Sequence, residues 1–186
     1  MVKVGFICEG ETEKLIINSV DFKKILVKNN LQLVNAIDVT GGDNLKPKKV
    51  TPFIESLKDD GAEKIFILTD LEKDVSITNA KNRINAPENI IVVIAVKQIE
   101  AWFLADSITL SKMFGKEFYF DFPENENIPR DKLRELFVKE TGRGFGDSKP
   151  KFAYNFIKNG FSLLNAANHP NCNSAKYLLS KLSASS

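Results

Sequence analysis

Four short apolar segments, separated by stretches with helical periodicity, restrict the fold of this chain more than any other feature. Short apolar runs bounded by turn residues predict buried strands, and apolar residues at spacings of three and four, as in residues 12–29, predict helices. Strands that alternate with helices are typical of a parallel sheet with right-handed crossovers. The predicted strands are residues 2–8, 31–39, 64–69 and 89–96.

The expected fold class is therefore α/β, a mostly parallel four-stranded sheet with helices on both faces and a mainly helical C-terminal extension. We expect an α/β domain over residues 1–110 and a helical, basic extension over residues 111–186 packed on it. Residues 130–181 contain 10 basic and 4 acidic residues, an excess that suits contact with phosphates. A solvated basic surface is the alternative.

Composition narrows the class of protein without naming a partner. The net charge of the 186 residues is +2, and no apolar run approaches the length that a membrane helix needs. The two cysteines, Cys8 and Cys172, have no metal-binding spacing, and no secretory leader is visible. We therefore expect a reduced, cytoplasmic protein that does not contact membranes.

Acidic residues follow two of the predicted strands. Glu9 comes directly after the first strand and before Gly10, and Asp70, Glu72 and Asp74 follow the third. Ligands of open parallel sheets bind beyond the carboxyl ends of the strands. Carboxylate oxygens are the protein ligands that Mg²⁺ prefers. The sequence thus predicts a Mg²⁺ (or Mn²⁺) site that contains these acids.

Two further acids are expected at the same edge of the sheet. Glu13 lies one helical turn after Glu9, and Glu100 follows the fourth strand at the start of a helix. With Glu9, they are the candidate catalytic residues. The alternative for Glu13 and Glu100 is that each is an ordinary first-turn acid favoured by the helix dipole.

Basic residues near a glycine-rich loop are the candidate nucleic-acid contacts. Arg143, Lys149 and Lys151 lie on either side of residues 144–146. They are placed to bind phosphates, although a solvated basic loop is the competing interpretation. His169 is the only histidine, so a nucleophile–histidine catalytic pair has little support.

Three motifs resemble a known family. Residues 9–13, Glu-Gly-Glu-Thr-Glu, with Asp70-Leu71-Glu72 resemble the TOPRIM domain, above all that of the OLD (overcoming lysogenization defect) nucleases and their small stand-alone bacterial relatives. Residues 99–106, Ile-Glu-Ala-Trp-Phe-Leu-Ala-Asp, resemble a signature of one such small family. Residues 172–175 resemble its Cys-Pro-Ser box, with Asn173 in place of proline.

The resemblance implies roles for these acids. Glu9 would act as a metal ligand or general acid/base, and Asp70 and Glu72 would hold the metal. TOPRIM domains usually have Asp-x-Asp at that pair, so Glu72 departs from the family pattern, and Asp74 would be a substitute ligand. A second acid after the first motif, here Glu13, would allow two metals.

The function that the resemblance implies is Mg²⁺-dependent hydrolysis of phosphodiester bonds in DNA or RNA, in bacterial defence against phage. No ATPase motif is present, so a separate ATPase or defence protein is an expected partner, and a homodimer is another expectation. Two other functions stay open. One is a non-catalytic metal-dependent module that binds nucleotides or nucleic acid, and the other is an acidic-site phosphatase.

Overall fold

The computed structural model describes residues 1–71, 74–144 and 148–185. Its four strands form one all-parallel sheet in the order β2-β1-β3-β4, which confirms the predicted fold class. Each predicted strand is present, with bounds shifted by one residue or less. The strands are β1 (Val2–Cys8), β2 (Leu31–Asp38), β3 (Lys64–Asp70) and β4 (Ile90–Ala95).

Helices make up most of the remaining described chain. Two 3₁₀ turns, Gly42–Leu45 and Pro123–Asn125, lie between them. None of the described helices is long and apolar enough to cross a membrane. The helices are α1 (Glu11–Asn18), α2 (Val20–Lys28), α3 (Pro47–Asp59), α4 (Ile77–Ile84), α5 (Glu100–Ala105), α6 (Ser107–Phe114), α7 (Pro129–Thr141), α8 (Lys149–Asn159), α9 (Leu163–Asn168) and α10 (Asn173–Ser183).

The single helix predicted over residues 12–29 is in fact two helices. Ser19 has an extended backbone and ends α1, and its Oγ accepts a hydrogen bond of 3.2 Å from the amide of Phe22. This bond satisfies one of the free amides at the start of α2. Apolar periodicity continues through the break because both helices bury the same face, so periodicity alone does not reveal the cap.

Helices cover both faces of the sheet, as the continuous burial along β1 and β3 requires. Phe6 and Phe66 stack on one face, with ring centroids 4.9 Å apart, in a core shared with α1, α2, α5 and the C-terminal helices. Ile7 and Ile67 point to the other face, which α3 and α4 cover. The C-terminal helices therefore share one apolar core with the sheet.

Buried polar contacts hold the C-terminal helices in place. Asp106, the last residue of the motif at residues 99–106, is fully buried and accepts hydrogen bonds from Thr109, Ser162 and Asn165. Farther along, the carboxylate of Glu124 accepts from the first two amides of α10, and the indole of Trp102 donates to Ser174 Oγ at 2.7 Å. Trp102 and Asp106 thus join α5 and α6 to the C-terminal helices.

The strand order also fixes where a ligand can bind. The chain moves from β1 to β2 on one side of the sheet and then returns to place β3 on the other side of β1. The two crossovers diverge between β1 and β3 and leave a crevice beyond their carboxyl ends. Glu9 lies at the entrance of this crevice, directly after β1, and its amide donates to the carbonyl of Leu68 at 3.0 Å.

Asp106→Ala is expected to lower the free energy of unfolding by about 3 kcal/mol, because buried donors from α6, the loop before α9 and α9 itself would lose their acceptor. Urea denaturation measures this change. The matched control is Asp59→Ala at the exposed end of α3, which is expected to change stability by less than about 0.5 kcal/mol. Equal stability of the two variants would contradict this role of Asp106.

Candidate functional site

Several carboxylates and the ammonium group of Lys149 gather near the crevice between β1 and β3 in the part of the chain that the structure describes. Glu9 follows β1, Glu13 lies on the first turn of α1, Asp70 ends β3, and Glu100 begins α5. Lys149, the first residue of α8, is the nearby cation. A cavity of about 370 Å³ is lined by Glu9, Glu13, Asp70 and Lys149 among other residues. The structure thus places acids from distant segments near one edge of the sheet.

Glu9 is held by hydrogen bonds from two sides. Its Oε2 accepts from the hydroxyl of Thr69 and from the amide of Asp70, the latter at 3.2 Å. Its Oε1 accepts from the amide of Gly42 at 3.1 Å. A Cβ at position 42 would lie 3.0 Å from Oε1, so the loop can approach Glu9 this closely because residue 42 is glycine. These donors fix the orientation of the carboxylate.

Glu13 reaches back toward the start of its own helix. Its Oε2 accepts from the amide of Gly10 at 3.1 Å, and only 4% of the residue is exposed. Burial raises the pKa of Glu13 from 4.5 to about 7, and the negative charges of Glu100 and Glu9 act in the same direction. Glu13 is therefore poised to gain or lose a proton near neutral pH.

Asp70 is the most enclosed acid that lines the cavity. It is 3% exposed, and its Oδ1 accepts from the amide of Ile99 at 2.7 Å, which ties β3 to the start of α5. Burial raises the pKa of Asp70 well above its usual range, and the charges of Glu13, Glu100 and Glu9 add to this effect.

Glu100 has one oxygen near a cation and one without a partner. Its Oε1 lies 3.7 Å from Lys149 Nζ, whereas Oε2 is buried with no hydrogen-bond partner among the described residues. The residue is 1% exposed. A buried carboxylate oxygen without a donor is costly, and such an atom points to a group that binds there.

The structure does not bring every predicted residue to this cluster. Glu72 lies outside the described residues. Asp74 forms an ion pair with Arg83, whose Nη2 lies 2.9 Å from Asp74 Oδ2, and it does not line the cavity. Arg143 is exposed, and its amide donates to Thr141 Oγ1 at 3.3 Å. Lys151 is exposed and lines a groove beside the cavity.

Two residues near the cavity were missed by the sequence analysis. Asp38 ends β2 and lines the cavity, so the rule applied to β1 and β3 would have found it. Thr69 is buried, and its hydroxyl donates to Glu9. Its position directly before an acid at a strand end gives no sequence signal, because threonine is common in strands.

The donor set fits a hydrated Mg²⁺ or Mn²⁺ ion. Among the described residues, no three Cys, His, Asp or Glu side chains form a preassembled metal cage. Mg²⁺ rarely binds in such a cage, since it keeps several waters and binds one or two carboxylates plus substrate phosphates. The partnerless oxygen of Glu100 and the raised pKa values of Asp70 and Glu13 indicate an excess of buried negative charge that a cation would balance.

The fold and this site define an α/β protein with an acidic centre at the switch point of a parallel sheet. No family model and no curated protein matches the sequence. A solved structure, the C-terminal region of the Burkholderia pseudomallei OLD protein, matches with a TM-score of 0.51 and 13% identity over 100% of both chains. At this identity the similarity shows the fold alone, and it is consistent with the resemblance to the OLD family without showing the TOPRIM signature.

Glu13→Gln is expected to raise the free energy of unfolding at pH 8 by about 2–3 kcal/mol in metal-free buffer. The folded-state pKa of about 7 exceeds the usual 4.5, so protonated Glu13 stabilises the folded protein fully below pH 4.5. That contribution is lost as the pH rises through 7. Glutamine stays neutral, so its advantage should grow from pH 4.5 to pH 8.

Urea denaturation of both proteins across this pH range measures the difference. Glu11→Gln, an exposed acid of the same helical turn, is the matched control and is expected to change stability by less than about 0.5 kcal/mol. A Glu13→Gln effect that does not depend on pH would contradict the assignment of the raised pKa.

Proposed function

We propose that this chain is a Mg²⁺-dependent TOPRIM-like nuclease that hydrolyses phosphodiester bonds in DNA or RNA. The observation that supports it most is the gathering of Glu9, Glu13, Asp70 and Glu100 beside Lys149 at one crevice of the sheet. The clustered carboxylates suit a divalent metal ion. The metal ion and the adjacent Lys149 would in turn suit a negatively charged phosphate.

Asp70 and Glu100 would supply oxygens to the metal, and Glu72, which lies outside the described residues, is proposed to act with Asp70. Bound Mg²⁺ or Mn²⁺ would polarise the phosphoryl group and stabilise the charge on the attacking and leaving oxygens. Asp74 remains a proposed substitute ligand that would first have to leave Arg83.

The remaining residues would position groups and transfer protons. Glu9, held by Thr69, Asp70 and Gly42, presents a carboxylate of fixed orientation. Glu13, with a pKa of about 7, is suited to accept a proton from the attacking water near neutral pH. The ammonium of Lys149 lies where it could pair with a phosphate oxygen instead of Glu100.

The fold similarity to an OLD C-terminal region supports a wider proposal. The chain would act in bacterial defence against phage, in the cytoplasm, as a homodimer or with a separate ATPase or defence protein. Arg143, Lys149 and Lys151 are the proposed contacts to nucleic acid. A non-catalytic binding module and an acidic-site phosphatase are the other two candidate functions. The binding module would use the same site as the nuclease, and a cleavage experiment separates the two.

Wild-type protein is expected to cut plasmid DNA or RNA in the presence of Mg²⁺ or Mn²⁺, and Glu9→Gln is expected to lower the rate by at least about 100-fold. Glutamine carries no negative charge, and its NH₂ group cannot accept from the donors that bond one of the two carboxylate oxygens of Glu9. Gel electrophoresis of timed reactions measures cleavage. Glu55→Gln, an exposed acid on α3, is the matched control and should cut at the wild-type rate.

Equal cutting by the wild type and Glu9→Gln would show that the activity is not that of this site. Metal-dependent binding of nucleic acid without any cutting would favour the regulatory module. Hydrolysis of small phosphomonoesters in preference to polynucleotides would favour the phosphatase.

Mg²⁺ is expected to raise the melting temperature of the wild type, because a ligand that binds only the folded state stabilises it. Asp70→Asn is expected to reduce or abolish this increase, since it removes charge from the centre of the cluster. Thermal denaturation with increasing MgCl₂ measures the shift, and KCl of equal ionic strength controls for screening. An undiminished shift in Asp70→Asn would place the cation elsewhere.

A further inference from the structure

A groove runs from the acid cavity along α8 and across α2. Its first lobe, of about 380 Å³, shares Glu11 and Pro150 with the cavity. Its second lobe, of about 370 Å³, shares Tyr154 with the first, and a third, of about 460 Å³, shares Lys24 with the second. Neighbouring lobes share lining residues and therefore lie side by side along α8 and α2; together they are here called the lysine groove.

The lysine groove carries an excess of positive charge. Two acids, Glu11 and Asp21, also line it. None of its lysines forms an ion pair with a residue that the structure describes. Five lysines against two acids leave the lobes net positive, which suits a polyanion that continues outward from a phosphate in the cavity. The lysines are Lys23, Lys24, Lys28, Lys151 and Lys158.

An exposed aromatic ring stands at the middle of this path. Tyr154 is 58% exposed and lines both the first and the second lobe, with Leu15 and Ile157 forming apolar wall beside it. Unpaired bases stack on aromatic side chains in grooves that track the phosphate backbone. Bases within a duplex are already stacked on each other, so a single tyrosine inside a groove favours an unpaired strand.

We propose that the lysine groove binds one unpaired nucleic-acid strand and leads it into the acid cavity. Tyr154 stacks on a base, and Lys24, Lys151 and Lys158 contact phosphates. The path along the 11 residues of α8 is about 16 Å long, which is enough for more than one nucleotide. This proposal rests on the proposed nuclease function and narrows its substrate to polynucleotides with a single-stranded segment.

The test is fluorescence anisotropy with a labelled oligothymidylate of about ten nucleotides, with Ca²⁺ in place of Mg²⁺. Tyr154→Leu is expected to raise the Kd at least about fivefold, because leucine cannot stack on a base, whereas Tyr154→Phe is expected to stay within about twofold. The exposed position of Tyr154 means that both variants should fold, which circular dichroism checks.

The charge contribution is tested by the salt dependence of the same binding. Reversing Lys24 and Lys151 to Glu is expected to reduce the slope of log K against log salt by about 0.7 or more per lysine. The matched control reverses Lys58 and Lys139, two exposed lysines on α3 and α7, and should leave the slope unchanged. A blunt duplex of equal length is expected to bind more weakly than the single strand.

Hydrolysis of bis(p-nitrophenyl) phosphate separates this proposal from the proposed function, because so small a diester needs only the cavity. If Glu9→Gln loses this hydrolysis while all groove variants bind the oligonucleotide as tightly as the wild type, the groove proposal is wrong and the nuclease proposal is supported. Equal binding of duplex and single strand would also overturn it. Groove effects on binding, with no hydrolysis of any diester by the wild type, would support the groove and overturn the nuclease.

Discussion

The pairing of β1 with β3 is the constraint on which the site depends. Parallel register sets Cys8 beside Leu68, so the next residues, Glu9 and Thr69, emerge side by side at the same edge. Glu9 then accepts from both Thr69 and Asp70, and Asp70 in turn accepts from the amide of Ile99 at the start of α5. One register shift along β1 would separate these groups and turn the buried side chains to the opposite face.

The C-terminal helices complete this centre from a distance. The contacts of Asp106, Trp102 and Glu124 fix α9 and α10 against α5, and α8 packs against α1 within the same core. The first residue of α8, Lys149, thereby reaches Glu100 across 49 residues of sequence. The extension is thus part of the site, because it delivers the cation that faces the acids.

The buried acids lower the stability of the folded protein when they are charged, and the same effect would favour binding of a cation. Burial is the main cause of the raised pKa values of Glu13 and Asp70, and repulsion between the neighbouring carboxylates adds to it. Lys149 offsets only part of it. A bound cation would relieve the same repulsion, so the unfavourable electrostatics of the buried acids would favour binding of a cation. The lysine groove next to it has the opposite charge and suits the rest of a polyanionic chain.

The sequence by itself determined the four strands, the α/β class and the acids at the strand ends, because short apolar runs and helical periodicity are local signals. It did not show the break at Ser19 or the hydroxyl of Thr69 on Glu9, since a cap or partner depends on backbone geometry rather than on residue type. Only the tertiary structure decided that Glu13 lines the crevice, that Glu100 lies beside Lys149, and that Asp74 pairs with Arg83. It also decided that Lys149 reaches the acids. These outcomes depend on contacts between segments far apart in the chain, and periodicity holds no information about which segments meet.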